Sequence, residues 1–242
     1  VKCLIIAAGM GSRLRTLAPS KPLAHVNGTP LIAHVLRAAQ AGGATSFVVV
    51  TGYEAAGIER ALPGLARSLG VTIGTVHNAE WERPNGLSVL AAADRLDEPF
   101  VLLMSDHLFD PAILAGLIAA HRSDAALTLA VDENLTSPIL DVEDATKVDV
   151  GPDGRILRIG KTILGYTAID TGIFLATPAL LGAIRDAVAA GGAGSLSEGV
   201  QRLAAEGRAY AAPIGNLWWI DVDDEAAHAR AEATLPAALA AA

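Results

Sequence analysis

Short, continuously apolar runs alternate with longer stretches of helical period through the first half of the chain. Lys2–Ala8, Ser46–Thr51, Val71–Val76 and Pro99–Met104 read as strands. Leu31–Ala41, Glu54–Leu62, Gly86–Asp94 and Pro111–Ala120 read as the helices between and after them. The strand runs are apolar at nearly every position rather than at every second one. That pattern predicts a parallel sheet covered by helices on both faces. Gly42–Gly43 ends the first helix, and Asp110–Pro111 opens the fourth.

The pattern then changes. Ala126–Val131, Lys147–Val150, Ile156–Ile159 and Ile169–Ala176 are strand-like, with a turn at Pro152-Asp153-Gly154. Their hairpin-style spacing predicts antiparallel additions to the sheet. Pro178–Ala190, Leu196–Glu206 and Glu225–Leu235 read as helices around a short strand at Tyr210–Pro213. No internal repeat is found, and only the Gly191-Gly192-Ala193-Gly194 loop interrupts the second half. The expectation is one α/β domain, with residues 1–125 and 126–242 as its two halves.

Composition narrows the chemistry. A hydrophobic content of 52% supplies a core, and a net charge of −8 excludes non-specific binding to nucleic acid or an anionic membrane. Any phosphate must therefore be met by a few placed cations and backbone N–H groups. Cys3 is the single cysteine, so no disulfide framework or multi-cysteine zinc site exists. No run approaches the roughly 18 apolar residues of a membrane span, and the chain is expected to be cytoplasmic. It opens almost at its first strand, as one domain of a longer polypeptide would.

The densest chemistry is Ala7-Ala8-Gly9-Met10-Gly11-Ser12-Arg13-Leu14, followed by Pro19-Ser20-Lys21-Pro22. A strand ends, glycines allow a tight turn, and successive N–H groups can then face an anion. Arg13 and Lys21 add positive charge to the same loop. The dinucleotide fingerprint fails, because Leu14 stands where a third glycine belongs, and the Walker Gly-Lys-Ser/Thr is absent.

Carboxylates follow elsewhere. Asp106 ends the strand run at Ser105-Asp106-His107, where open α/β sheets bind ligands. In Asp221-Val222-Asp223-Asp224, alternation across Ile220 and Val222 puts Asp221 and Asp223 on one face. Mg²⁺ takes one or two carboxylates plus substrate oxygens and waters, and Asp106 with Asp223 would supply that pair. Asp221 is open between a supporting and a second-metal role. His107 is open between a substrate contact and a hydrogen bond beside Asp106, and Asp224 reads as a helix-start acid.

The loop from Ala8 to Leu14 together with Pro19-Ser20-Lys21-Pro22-Leu23 resembles the signature of the nucleotidylyltransferase superfamily. The resemblance implies a Rossmann-like nucleotidyltransferase fold with a mixed, mainly parallel sheet and a small antiparallel acceptor-side extension. The first half would bind the nucleotide and the second the acceptor. Ala8, Gly9 and Gly11 would wrap a triphosphate, and Arg13 and Lys21 would balance charge on the pyrophosphate and the α-phosphate. Asn85, Gly86 and Ser88 occupy the positions of a base-reading loop, and Lys161 that of a lysine for the acceptor phosphate.

Lys147, Asp170, Thr171 and Glu198 complete the implied acceptor side, the two acids being suited to hydroxyl groups. Four segments are similar to the cytidylyltransferases for myo-inositol 1-phosphate, which make CDP-inositol. They are Met104-Ser105-Asp106-His107, Glu143–Val148, Ile159-Gly160-Lys161 and Ala168–Phe174. That branch implies CTP, a phosphorylated alcohol and Mg²⁺, with a membrane-embedded phosphatidyltransferase-like domain or partner using the product.

Three alternatives stand beside it. A sugar 1-phosphate nucleotidylyltransferase shares the loop and the acids. A phosphocholine cytidylyltransferase needs an aromatic cage, for which Trp81, Tyr166, Trp218 and Trp219 are available. A non-catalytic nucleotide-sensing module is opposed by intact Arg13, Lys21, Asp106 and Asp223.

Overall fold

A computed structural model describes residues 1–137 and 142–240, with side chains given through Leu235. Its strands are β1 (Lys2–Ala7), β2 (His25–Val26), β3 (Thr29–Pro30), β4 (Ser46–Thr51), β5 (Thr72–His77), β6 (Phe100–Met104) and β7 (His107–Phe109). The second half adds β8 (Leu127–Asp132), β9 (Lys147–Val150), β10 (Ile156–Gly160), β11 (Ala168–Ala176), β12 (Ala209–Pro213) and β13 (Trp219–Asp221). The helices are α1 (Leu31–Ala41), α2 (Ala55–Leu69), α3 (Gly86–Ala91), α4 (Pro111–Ala119), α5 (Ala179–Ala189), α6 (Leu196–Ala205) and α7 (Glu225–Ala240).

β1 explains why the sheet needs two covers. Cys3, Ile5 and Ala7 pack into one buried cluster with residues of α1, α2, α4 and α7. Leu4 and Ile6 pack into the opposite cluster with residues of α3, α5 and α6. Alternate side chains of a strand point to opposite faces, so a strand apolar at every position serves both cores. Each fully buried Leu or Ile contributes roughly 1.5–3 kcal/mol relative to exposure.

β6, β1, β4 and β5 run parallel in that order, and β11 pairs antiparallel with β6 to join the second half. β8 lies along β11, β12 along β8, β9 pairs with the first residues of β11, and β10 pairs with β9. The mixed, largely parallel sheet expected from the sequence is therefore present. No described helix is long and apolar enough to cross a membrane.

Several boundaries differ from the sequence reading for physical reasons. α2 continues past Pro63 to Leu69 and stops at Gly70, whose φ of 66° gives the left-handed cap. The helix expected over Gly86–Asp94 ends at Ala91 and passes into a 3₁₀ turn at Ala93–Arg95. Two short ribbons, β2–β3 and β7–β13, had no periodic signal because their strands are two or three residues long.

Gly86 begins α3 against the chain entering α6, and a Cβ there would collide with the Gly194 carbonyl oxygen. Gly64 in α2 has open space around its missing side chain. Gly86→Ala should therefore destabilise the protein by about 1–3 kcal/mol, whereas Gly64→Ala should stabilise it by up to about 1 kcal/mol. Thermal melting of the two variants checks both signs.

Candidate functional site

The chain leaves the sheet after Ala7 and turns through Gly11, at φ 58°, into a 3₁₀ turn at Ser12–Leu14. A Cβ on Gly11 would overlap the aliphatic stem of Lys21, so this glycine lets the loop close over the lysine. A second 3₁₀ turn, Lys21–Leu23, then buries Lys21 to 7% exposure.

The acids arrive from two other directions. Asp106 sits in the tight turn between β6 and β7, and β7 pairs with β13 so that His107 lies opposite Asp221. The Val222 N–H donates to the Asp106 carbonyl at 3.0 Å, extending that pairing. The ribbon thus brings residues more than a hundred positions apart into one cluster. The Lys21 ammonium bridges the carboxylates of Asp106 and Asp223. Arg13 contacts Asp223 at 2.5 Å and Asp144 at 2.6 Å, and Lys161 contacts Asp144 at 2.5 Å.

These pairings set the charges. Burial opposes the Lys21 charge, but Asp106, Asp223 and Asp221 outweigh it and hold the ammonium above the ordinary lysine range. His107 is likewise opposed by burial yet raised to about 10, chiefly by Asp221. Its Nδ1 lies 2.7 Å from the Thr171 carbonyl oxygen, so that nitrogen carries the proton, and Nε2 faces Asp221 at 3.5 Å and Asp106 at 3.8 Å. Burial pushes Asp221 upward, but His107 and Lys21 bring it down to about 2. Asp223 goes the other way, raised by burial and by Asp221.

A cavity of about 280 Å³ opens onto this cluster, lined by Arg13, Asp106, His107, Asp144, Lys161, Asp170, Asp221 and Asp223 among others. Asp170 enters it because β11 is interrupted there. The pairing with β8 shifts register between Asp170 and Phe174, and Gly172 takes a φ of 74°. The Asp170 carboxylate accepts from the Gly172 N–H at 2.7 Å. Burial nevertheless raises its pKa to about 6.

Other expected site residues spend hydrogen bonds within the fold, although Asn85 still lines the cavity. The Glu198 carboxylate accepts from the N–H groups of Ala193, Gly194 and Ser195 in a capping box at the start of α6. The same side chain lines a second cavity beside Lys161, on the side expected to take the acceptor. Lys147 is buried and donates to the carbonyls of Glu143 and Ala145, bracing the segment that carries Asp144. Thr171 is fully buried, and its hydroxyl donates to the Ala130 carbonyl; only its own carbonyl reaches the site. Ser88 accepts from the Asn78 amide beneath the polar segment. Asn85 accepts from the Leu196 N–H, which ties that segment to α6.

One lining residue had no signal in the sequence reading. Arg230, on α7, lines the cavity with Asp224 and Ala227, and its Nε is buried without a hydrogen-bond partner among the described residues. The three-residue spacing of these positions on one helix face was the available clue. An aromatic cage is absent among the described residues. Trp81 packs edge-on against Tyr53, and of the four aromatics considered only Trp219 lines the cavity, with its indole N–H on Asp132.

The cluster suits a divalent cation. One ammonium already reaches both Asp106 and Asp223, so a single positive centre can be shared by the pair. Carboxylate oxygens of Asp106 and Asp221 lie within 4.8 Å of each other, and Asp221 Oδ1 is buried with no hydrogen-bond partner among the described residues. Hard carboxylate oxygens are the ligands such ions prefer.

Comparison with known proteins is consistent across the chain. The model of the MobA-like NTP transferase domain matches residues 3–202. The chain is 34% identical to a bifunctional IPC transferase and DIPP synthase of Rubrobacter xylanophilus, over 92% of this chain and 49% of the relative. A protein of the same name from Aquifex aeolicus is 27% identical over 91% of this chain and 48% of the relative. The chain therefore spans about half the length of these two curated relatives. Among solved structures, the inositol-1-phosphate CTP transferase from T. maritima superposes with a TM-score of 0.82 and 27% identity, covering 93% of this chain and 90% of that one. A UDP-glucose pyrophosphorylase in complex with UDP-glucose gives a TM-score of 0.80 at 17% identity, covering 97% of each chain, which is a likeness of fold.

Asp170 offers a test of these electrostatics. A carboxyl raised to about 6 holds its proton more tightly folded than unfolded, so its cost is absent below the ordinary aspartate range, grows as pH rises from about 4 to about 6, and is constant above that. Asp170→Asn keeps the acceptor for Gly172 and removes the charge. The variant should be more stable than the parent by about 3 kcal/mol at pH 8, and the two should converge at about pH 3. Denaturant unfolding at a series of pH values measures the gap.

Proposed function

The chain belongs to the MobA-like NTP transferase family, and from that premise we propose that it transfers a cytidylyl group from CTP to myo-inositol 1-phosphate, giving CDP-inositol and pyrophosphate. The observation that carries the reading is the meeting of Lys21 and Arg13 with Asp106 and Asp223 at one cavity. The names of the Rubrobacter relative and of the T. maritima structure favour the inositol phosphate branch over a sugar 1-phosphate enzyme. The absence of an aromatic cage among the described residues disfavours phosphocholine.

A phosphate oxygen of the acceptor attacks the α-phosphorus of CTP in line, a P–O bond forms, and the bond to pyrophosphate breaks. Such a transfer requires positioning and charge stabilisation rather than a protein nucleophile. Asp106 and Asp223 would hold Mg²⁺, with Asp221 and His107 beside them, and the ion supplies charge stabilisation to the reacting phosphate oxygens.

The N–H groups around Ala8, Gly9 and Gly11 receive the triphosphate, while Lys21 and Arg13 turn from their carboxylates to the charge that leaves with pyrophosphate. Arg230 adds a guanidinium at the cavity wall. Lys161 holds the acceptor phosphate and Asp170 accepts from inositol hydroxyls. Since Ser88 is engaged by Asn78, backbone groups near Gly86 read the base. The product suits a CDP-alcohol phosphatidyltransferase acting at a membrane.

Pyrophosphate release should be fastest with CTP, inositol 1-phosphate and Mg²⁺ in a matrix of the four nucleoside triphosphates against inositol 1-phosphate, sugar 1-phosphates and phosphocholine. A clear preference for a sugar 1-phosphate would overturn the acceptor. Asp106→Asn and Asp223→Asn should each lower kcat by roughly 10³-fold, about 4 kcal/mol, with a native circular dichroism spectrum. Arg230→Ala should raise the KM for CTP about tenfold, the loss of one charge-assisted contact.

A further inference from the structure

Asp144 lies in a segment that the proposed reaction leaves unused, yet it holds two of its cations. One carboxylate oxygen is 2.6 Å from an Arg13 nitrogen and the other 2.5 Å from the Lys161 ammonium. Arg13 comes from the glycine loop of the nucleotide half and Lys161 from the end of β10, so a single carboxylate spans the gap between the two halves. We propose that Asp144 is a resident stand-in for the acceptor phosphate, which must displace it to engage Lys161, releasing Arg13 to the triphosphate, and that this competition selects phosphomonoesters. The inference rests on the functional reading for the identity of the acceptor only.

Three observations support it. The carboxylate is ionised at neutral pH, since Lys161 and Arg13 hold its pKa below the ordinary aspartate range. The cavity is rich in acids, and Arg13 and Lys161 are both already neutralised within it. An entering anion therefore gains these cations only by exchange. Finally, Lys147 braces the same segment from beneath through the Glu143 and Ala145 carbonyls, which positions Asp144 at the cavity wall.

The exchange is selective by charge. A phosphomonoester carries about −1.5 to −2 at neutral pH and three acceptor oxygens, so it outbids a carboxylate of charge −1 with two oxygens. A phosphodiester has one charge and two free oxygens, and gains nothing from the swap. Asp144 would thus bar diesters that the cations alone would accept.

The test uses methyl phosphate and dimethyl phosphate as probes, with EDTA present, and calorimetry on the parent, Asp144→Asn and Asp144→Ala. Both variants should bind methyl phosphate at least fivefold more tightly than the parent. The preference for methyl over dimethyl phosphate should narrow from tenfold or more to about threefold. Lys161→Ala in the Asp144→Asn background should cancel the gain. Unchanged or weaker methyl phosphate binding in variants with parental melting temperatures would overturn the proposal and leave Asp144 as a residue that merely orients its cations. Because these measurements involve no turnover, they stand apart from the acceptor panel. Failure of that panel with retained phosphate behaviour would refute the reaction and spare the exchange.

Discussion

The site depends on one ammonium among carboxylates. Asp106, Asp221 and Asp223 are drawn together by the β7–β13 ribbon and the turn before it, and their mutual repulsion must be answered from within the protein. Lys21 answers it from a position sealed by the glycine loop. Removing one partner of such a buried arrangement commonly costs about 3–5 kcal/mol, because the remaining charges are left uncompensated. The loop, the acids and the ribbon are therefore one electrostatic object, although they come from residues 9–21, 106–109 and 219–223. A divalent cation entering among these acids would take over a balance that the resting protein keeps with its own side chain.

Much of this was legible in the sequence because it rests on local signals. Runs such as Cys3–Ala7 and Phe100–Met104 announced buried strands, and Leu31–Ala41 was delimited by its period and the glycines behind it. The loop was legible because glycine, arginine and lysine in that order serve few purposes. What could not be read was where polar side chains spend their hydrogen bonds. Glu198 caps its own helix, a Ser-x-x-Glu pattern that was visible as a capping box but was set against a polyhydroxyl acceptor instead. Lys147 and Thr171 turn inward to backbone carbonyls, a choice made by burial that no spacing encodes. Arg230 shares a face with Asp224 and Ala227 by its spacing, but spacing alone does not say which face of a closing helix meets the cavity.

The acidic balance of the chain gives these pairings their meaning. With a formal charge of −8, the protein draws anions by no long-range field. Each phosphate must be recognised at contact range by groups that are otherwise engaged. The start of α6 shows the same economy: its N–H groups would be an anion site by default, but the Leu196 N–H donates to Asn85 and the Glu198 N–H to the Ser195 hydroxyl, while the Glu198 carboxylate takes the loop N–H groups just before the helix.

The detour in β11 carries a different lesson. On either side of Asp170–Gly172 the strand is held by backbone bonds to β6, β8 and β9, which are indifferent to side-chain identity. The departure from regular pairing is confined to three residues, one of them a glycine that no other amino acid replaces comfortably. Variation there can redraw what the cavity accepts while the surrounding ladder persists. A change confined to that kink would reshape one wall of the cavity and leave the architecture that supports it in place.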